Sequence, residues 1–318
     1  MLSEFELIKR YFTHPARHAL LGVGDDAALI KPARGMELAV STDMLVSGRH
    51  FFPDDDACRL GHKALAVNLS DMAAMGAAPR WVTLSLALPK VDEKWLKRFV
   101  KGFMDLARKH KVDWIGGDTT RGPLNICVQI MGEVPQGKAL RRDAAKPNDD
   151  IWVSGFLGDA ALALAHLQKR LRLEPKELQA CLPALHTPRP RVNLGKKLRG
   201  LAHAAIDISD GLLADLGHIL ERSGAGAAVE FNLLPKSGVM EKHAGQKAAC
   251  QALLAGGDDY ELCFTVPARR RGEVQGLSRK LRLRLTRIGK ITRSKGLSLL
   301  DANGKRMKVD IKGYDHFG

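Results

Sequence analysis

The sequence predicts a two-domain protein of α/β type with some α+β character, on three observations. At 318 residues the chain is long for a single hydrophobic core. Strand-like and helix-like segments alternate through its first half. A polar stretch from Arg141 to Asp150, containing Lys146-Pro147-Asn148-Asp149-Asp150, then breaks the alternation before strands restart. The expected domains are residues 1–145 and 146–318.

Leu38 to Thr42 reads as a short strand running into a polar loop, and Leu60 to Met75 as a buried helix. Trp81 to Leu88 reads as a strand. Asp92 is placed to cap the following helix, in which Trp95, Phe99, Phe103 and Leu106 recur at helical spacing and so belong to a core. Trp114-Ile115 leads into Gly116-Gly117-Asp118, and Asn125 to Val134 is the next strand. In the second half, Ile151 to Ser154 is a strand and Gly158-Asp159 opens an Ala/Leu helix. A Pro-containing stretch, Thr187 to Asn193, precedes another helix, and Glu261 to Val266 and Leu297 to Leu300 are strands.

Composition narrows the function classes. Hydrophobic residues make up 45% of the chain and charged residues 27%, which is ordinary for a globular protein. No apolar run reaches the ~20 residues that span a bilayer. The acidic start Met1-Leu2-Ser3-Glu4-Phe5-Glu6 has no apolar export region, so a cytoplasmic protein without membrane partners is expected. Five scattered cysteines with no CxxC pair are expected to be reduced thiols.

The net charge of +15 is uneven: residues 1–150 hold 22 Lys+Arg against 19 Asp+Glu, whereas residues 151–318 hold 28 against 16. The excess gathers in Arg269-Arg270-Arg271 and in Arg279-Lys280-Leu281-Arg282-Leu283-Arg284-Leu285. No aromatic lies there to stack on a base, so nucleic acid is not an expected partner. The Arg/Leu alternation reads instead as a strand with one solvated face.

Chemistry is carried by aspartates set beside glycine or hydroxyl residues just after apolar runs. The clusters are Gly24-Asp25-Asp26, Ser41-Thr42-Asp43, Ser70-Asp71, Gly116-Gly117-Asp118-Thr119-Thr120, Asp207-Ile208-Ser209-Asp210-Gly211 and Gly256-Gly257-Asp258-Asp259. Glycine lets the backbone approach a ligand closely, and carboxylate and hydroxyl oxygens are the donors that Mg²⁺ prefers. Converging carboxylates would repel one another without a cation. Asp71 is notable because the segment around it is otherwise apolar, where an unpaired carboxylate is costly. The chain has no GxxxxGK[ST] loop and no HRD or DFG motif, and Gly22-Val23-Gly24 lacks the third glycine of a dinucleotide fingerprint. Mg²⁺-dependent phosphate chemistry outside the P-loop and protein-kinase designs is the reading these residues support.

In order, these stretches resemble the thiamine-monophosphate kinase family, within the aminoimidazole ribonucleotide synthetase-like superfamily. The resemblance rests on Gly22-Val-Gly-Asp-Asp-Ala-Ala28, Ser41-Thr-Asp-Met-Leu-Val-Ser-Gly-Arg-His-Phe51, Lys63-Ala-Leu-Ala-Val-Asn-Leu-Ser-Asp-Met-Ala-Ala-Met-Gly76 and Gly116-Gly-Asp-Thr-Thr-Arg-Gly-Pro123. It continues through Ile206-Asp-Ile-Ser-Asp-Gly-Leu212, Gly256-Gly-Asp-Asp-Tyr-Glu-Leu262 and Lys312-Gly-Tyr-Asp-His-Phe317.

The resemblance implies ATP-dependent phosphorylation of thiamine phosphate to thiamine diphosphate, by direct in-line transfer with several Mg²⁺ ions. It implies metal roles for Asp26, Ser41, Thr42, Asp43, Asp71, Asp118, Asp207 and Asp210, with Asp43, Asp71, Asp118 and Arg142 at the chemistry. Gly117, Asp118, Arg142 and Ser209 would face the nucleotide, and His50, Asp258 and Tyr314 would contact thiamine phosphate. Where this chain has Asp258 the family often has Glu. A homodimer is implied as well, with N-terminal strands pairing across subunits and the C-terminal domain completing the site. Other enzymes of the superfamily, a basic RNA-binding protein and an inactive nucleotide sensor are the competing readings.

Overall fold

The structure, a computed structural model, describes residues 4–307. The chain divides into two compact units: Met1–Met72 with Ala77–Gly137, and Ala73–Gly76 with Lys138–Gly318.

In chain order the first half holds α1 (Glu4–Leu7), a π-helical turn (Ile8–Phe12), β1 (Ala19–Leu21), β2 (Leu29–Ile30), β3 (Met36–Val46), α2 (Ala57–Ala74), β4 (Ala78–Leu88), α3 (Glu93–His110), β5 (Asp113–Arg121) and β6 (Asn125–Pro135). Strands β3, β6, β4 and β5 form one mixed sheet in that order, with β3 and β5 at its edges. Only β4 and β5 run parallel, and the long connection between them is α3, as a parallel crossover requires. Asp92 caps α3 by accepting from the N–H groups of Lys94 and Trp95 at 3.0 and 3.1 Å. Phe99, Phe103 and Leu106 are buried, as their spacing predicts. Phe103 lies 4.9 Å from the Trp114 ring of β5, so the aromatic stripe anchors the helix to the sheet.

The cross-strand register assigns the faces of this sheet. Asp43, Val128, Leu84 and Gly117 form one row, and Leu45, Ile126 and Leu86 share its side, the side buried beneath the helices. Met44, Cys127, Ser85 and Asp118 form the adjacent row on the opposite face. At one end of that second face Trp81, Ile115 and Met131 form a small core, covered by Ala16, Ala19, Ala28 and Ile30 from the β1–β2 region.

Two expectations are corrected here. The strand expected to end in a loop after Thr42 instead runs on through Asp43, because β3 pairs with β6 over all eleven residues from Met36 to Val46. Likewise β5 continues through Gly116-Gly117-Asp118, after a bulge at Ile115 in its pairing with β4. In both places ladder hydrogen bonds satisfy the backbone and outweigh the weak strand preference of Asp and Gly.

The second half holds β7 (Asp149–Ser154), α4 (Asp159–Leu167), α5 (Pro175–His186), α6 (Val192–Leu198), β8 (Ala204–Asp207), α7 (Leu212–Ser223) and β9 (Gly226–Glu230). It continues with α8 (Gly238–His243), α9 (Lys247–Ala255), β10 (Leu262–Pro267), α10 (Arg271–Leu281), β11 (Leu285–Thr292) and β12 (Gly296–Leu300). The six strands order as β12-β9-β11-β7-β10-β8, antiparallel except for β12 with β9. Ile151, Val153, Ile206 and Cys263 of the sheet pack with Leu162 of α4, Leu216 and Ile219 of α7 and Leu253 of α9 in one continuous core.

The Arg/Leu alternation at residues 279–285 is not a strand. Arg279–Leu281 close α10, whose Val274 and Leu277 are buried at helical spacing, and Arg282 caps it in the left-handed conformation at φ 50°. The five alternating residues Leu281 to Leu285 are outvoted by the longer period of 3.6 that precedes them.

Glu177, in the first turn of α5, joins two helices of this unit. It accepts from Lys242 and from His243 Nε2 (3.0 Å) of α8, and its carboxylate also accepts the Glu174 N–H (3.0 Å) in a capping box. The Lys242 ammonium first, then these hydrogen bonds, hold its carboxyl at about 2, below the usual 4.5. A carboxyl that titrates lower folded than unfolded stabilises above about pH 4.5, and that contribution is lost as the pH falls toward 2. Glu177→Gln is therefore expected to flatten the loss of stability between those pH values, read as Tm against pH by calorimetry. A wild-type slope in the variant would contradict this.

Candidate active site

In the N-terminal unit the proposed chemistry gathers at β3 and α2. Strand alternation turns Ser41 and Asp43 toward the helices and Thr42 to the opposite, exposed face. Ser41 Oγ donates to Asp71 Oδ2 of α2 at 2.5 Å, which partners the carboxylate that the sequence leaves in an apolar helix. Asp71 is itself half-buried rather than buried. Close by on α2, the buried atoms Asn68 Oδ1 and Ser70 Oγ have no partner among the described residues.

Asp118 and Thr42 share the other face of the sheet but lie on its two opposite edge strands, three strand spacings apart, about 14 Å. One sheet therefore cannot bring the side chains of Asp43 and Asp118 to a single ion. Asp26 is exposed in the turn between β1 and β2. His50 is half-buried beyond β3, and its Nδ1 accepts the Val46 N–H at 3.0 Å, so the neutral ring carries its proton on Nε2. Gly117 sits at φ +152°, where a Cβ would stand 1.8 Å from the Leu84 carbonyl oxygen. No other residue fits there without moving β4.

In the C-terminal unit Asp207, Ser209, Asp210 and Asp258 lie at one end of the β8/β10 pair. Arg142 does not: Arg141 bridges Ala204 at the other end of β8, and Ser223, the last residue of α7, donates its hydroxyl to the Arg142 carbonyl. Asp207 is buried as the last residue of β8, and Ser209 and Asp210 follow in a turn. Asp215 of α7 holds this turn: its Oδ2 accepts the N–H groups of Ser209, Asp210 and Gly211 at 3.0, 3.0 and 3.1 Å. Burial pushes the Asp215 carboxyl up to about 7, although the three N–H donors favour its charged form. Sequence reasoning missed Asp215 because an acidic residue in a first helical turn is unremarkable. The signal was its place four residues after Gly211, which brings the carboxylate back over the amides of the turn.

Facing this turn is the segment Gly256–Glu261. The Asp258 N–H donates to the Ser209 carbonyl (2.9 Å), the Tyr260 N–H to the Ile208 carbonyl (2.8 Å) and the Ile208 N–H to the Glu261 carbonyl (2.8 Å). Asp258 and Tyr260 both adopt left-handed backbone, at φ 68° and 48°, and the Tyr260 hydroxyl donates to Asp258 Oδ1 at 2.9 Å. Next in sequence, Glu261 is buried and accepts from Ser154 Oγ (2.5 Å) and Arg191 Nε (2.6 Å), which fixes the base of the segment. Arg142 is exposed at the start of a short 3₁₀ turn, and Tyr314 lies outside the described residues.

Models of the AIR synthase related protein family match this chain in both halves, the N-terminal domain at residues 24–134 and the C-terminal domain at 146–302. The chain is 47% identical to the thiamine-monophosphate kinase of Escherichia coli K12, over 99% of its own length and 98% of that protein. It belongs to the thiamine-monophosphate kinase family. The Bacillus subtilis member is 34% identical over 99% of the chain and its own full length. A crystal structure of the Stenotrophomonas maltophilia family member aligns with a TM-score of 0.87 at 48% identity, covering 96% of this chain and 98% of that one. The structure described as AaThiL complexed with AMPPCP and TMP aligns with a TM-score of 0.79 at 31% identity, over 99% of this chain and 97% of that one.

The donor set suits Mg²⁺ in kind, since Ser41, Asp43, Asp71, Asp207 and Asp210 all offer hard oxygens. Among the described residues no three His, Cys, Asp or Glu side chains converge on a metal position.

Proposed function

We propose that this chain phosphorylates thiamine phosphate to thiamine diphosphate, using ATP as the phosphoryl donor. The observation that carries this is full-length similarity to thiamine-monophosphate kinases, including a structure complexed with AMPPCP and TMP that aligns over 99% of the chain. The purified protein, given ATP, Mg²⁺ and thiamine phosphate, is expected to form thiamine diphosphate and ADP in equal amounts. Turnover of free thiamine but not of its phosphate would overturn the substrate.

The acceptor is already an anionic phosphate oxygen, so the reaction needs little general-base help. What it needs is relief of repulsion between two anions in line. Mg²⁺, when bound, supplies that neutralisation. Ser41, Asp43 and Asp71 would hold it in the N-terminal unit, with Asp26 nearby in sequence order, and Asp207 and Asp210 in the C-terminal unit. Gly117 allows phosphate to approach bare backbone, Ser209 offers a hydroxyl and a fixed turn, and Arg142 offers a guanidinium to charge developing in transfer. His50, Asp258 and Tyr314 would contact thiamine phosphate. ATP as donor and five free thiols fit a cytoplasmic setting. Among the described residues no helix is long and apolar enough to cross a membrane.

The proposal includes a homodimer. Edge strand β3 exposes Met36, Leu38, Val40 and Met44 on one face, with 54% of Val40 accessible. An unpaired apolar edge of this kind is normally covered. Edge-to-edge pairing of two copies would set the margin bearing Asp118 in one copy beside the margin bearing Thr42 and Asp43 in the other. That would bring Thr42 of one copy toward Asp118 of the other, which share a face of the sheet. Val40→Lys is expected to weaken dimerisation roughly 100-fold, read by sedimentation equilibrium. A wild-type protein that stays monomeric at micromolar concentration would refute the dimer.

A further inference from the structure

The basic excess of the second half is not used by the phosphoryl-transfer site, and part of it surrounds a cavity. An open pocket of about 330 Å³ lies between the end of α6 and α10. Its volume is at the lower end of the range for small-molecule sites. Leu201 and Leu277, both buried, form its floor. Glu273, Gly276, Leu277 and Lys280 recur at helical spacing along one face of α10, and Gly276 leaves the mouth clear of side chains.

The walls are built rather than incidental. Arg270 donates Nε and Nη2 to the two carboxylate oxygens of Glu273 at 2.6 and 2.8 Å, and donates Nη1 to the Gly200 carbonyl. This clamps the turn after α6 to the start of α10 and consumes the pocket's one carboxylate. Three cations are left over. Lys197 and Lys280 have no ion-pair or hydrogen-bond partner among the described residues, and half-buried Arg199 uses only its Nε, on the Lys196 carbonyl at 3.2 Å. Like charges held around one concavity repel, and a multivalent anion relieves that repulsion while meeting ammonium and guanidinium donors.

The pocket is separate from the end of the β8/β10 pair that carries Ser209, Asp210 and Asp258. Strands β8 and β10 are antiparallel, with Asp207 opposite Leu262 at one end and Ala204 opposite Thr265 at the other. Ser209, Asp210 and Asp258 belong to the first end. Gly200, Leu201 and Arg270 flank the second.

We propose that this pocket is a second anion site that takes a linear di- or triphosphate chain, outside the phosphoryl-transfer site. The full-length protein is titrated with inorganic tripolyphosphate at constant ionic strength, by calorimetry, beside the double variant Lys197→Gln/Lys280→Gln. Tripolyphosphate can also occupy the kinase site, so stoichiometry is the readout. The double variant is expected to bind one molecule fewer than wild type, or to bind that molecule roughly 100-fold more weakly. Its kinase activity and its Tm without tripolyphosphate should be unchanged. Equal stoichiometry and affinity in the two proteins would overturn the proposal. A parallel titration with ATP separates the sources of the chain: one site fewer there too assigns the pocket to nucleotide tails as well as inorganic chains. A difference with tripolyphosphate alone restricts it to the latter.

Discussion

Asp43→Ala is expected to reduce thiamine diphosphate formation at least roughly 10³-fold, equivalent to about 4 kcal/mol of transition-state stabilisation. Asp43 is half-buried on the helix-facing side of β3, two residues along the strand from Ser41, whose hydroxyl donates to Asp71. Its strand is held by eleven residues of pairing with β6, so removing one side chain should leave far-ultraviolet circular dichroism and Tm nearly unchanged. Activity measured across a Mg²⁺ series, with the Tm alongside, separates a lost ligand from a lost fold. Retention of even a tenth of the wild-type rate at saturating Mg²⁺ would remove Asp43 from the metal set.

Asp215→Ala should act by another route. It withdraws one acceptor from three N–H groups, that of Gly211 buried and those of Ser209 and Asp210 half-buried. A buried orphaned donor costs about 1–3 kcal/mol, so a total of a few kcal/mol is expected. That is a large share of the 5–15 kcal/mol typical of a folded domain. Asp215→Asn keeps one oxygen on the turn and should restore most of the stability, while its amide N–H₂ disturbs the placement of Ser209 and Asp210. The informative measurement is steady-state kinetics on the Asn variant at a temperature where it is folded. The KM for ATP should rise well before kcat falls. Unchanged kinetics in a folded Asn variant would show that the turn does not depend on Asp215.

The sequence made the helices legible because burial repeats along them. Phe99, Phe103 and Leu106 follow a 3.6-residue period that needs no tertiary knowledge, and Asp92 marks where it starts. The sheet was less legible. Ser41-Thr42-Asp43 and Gly116-Gly117-Asp118 have the composition of loops, and only pairing with distant β6 and β4 makes them strands. That difference matters for function. A strand puts Thr42 and Asp43 on opposite faces, a separation that a loop reading cannot show. Residue types pointed to hard-oxygen donors suited to a cation. They could not tell which share a face, nor that a helix residue, Asp215, would hold the turn bearing Ser209 and Asp210. The basic run 279–285 misled because its alternation was too short to compete with burial of Val274 and Leu277.

The hydrogen bonds joining residues 208–209 to residues 258–261 make two loops into one mechanical piece. Ser209 and Asp258 are proposed to meet different ligands, yet neither can shift far without dragging the other through the Asp258 N–H and the Ser209 carbonyl. Asp215 grips this piece from one side, and the Arg191–Glu261 pair anchors it from the other. Order imposed on either loop is thus shared by both. Whatever free energy a nucleotide contributes to stilling Ser209 is no longer owed by thiamine phosphate when it meets Asp258, and by linkage the same holds in reverse.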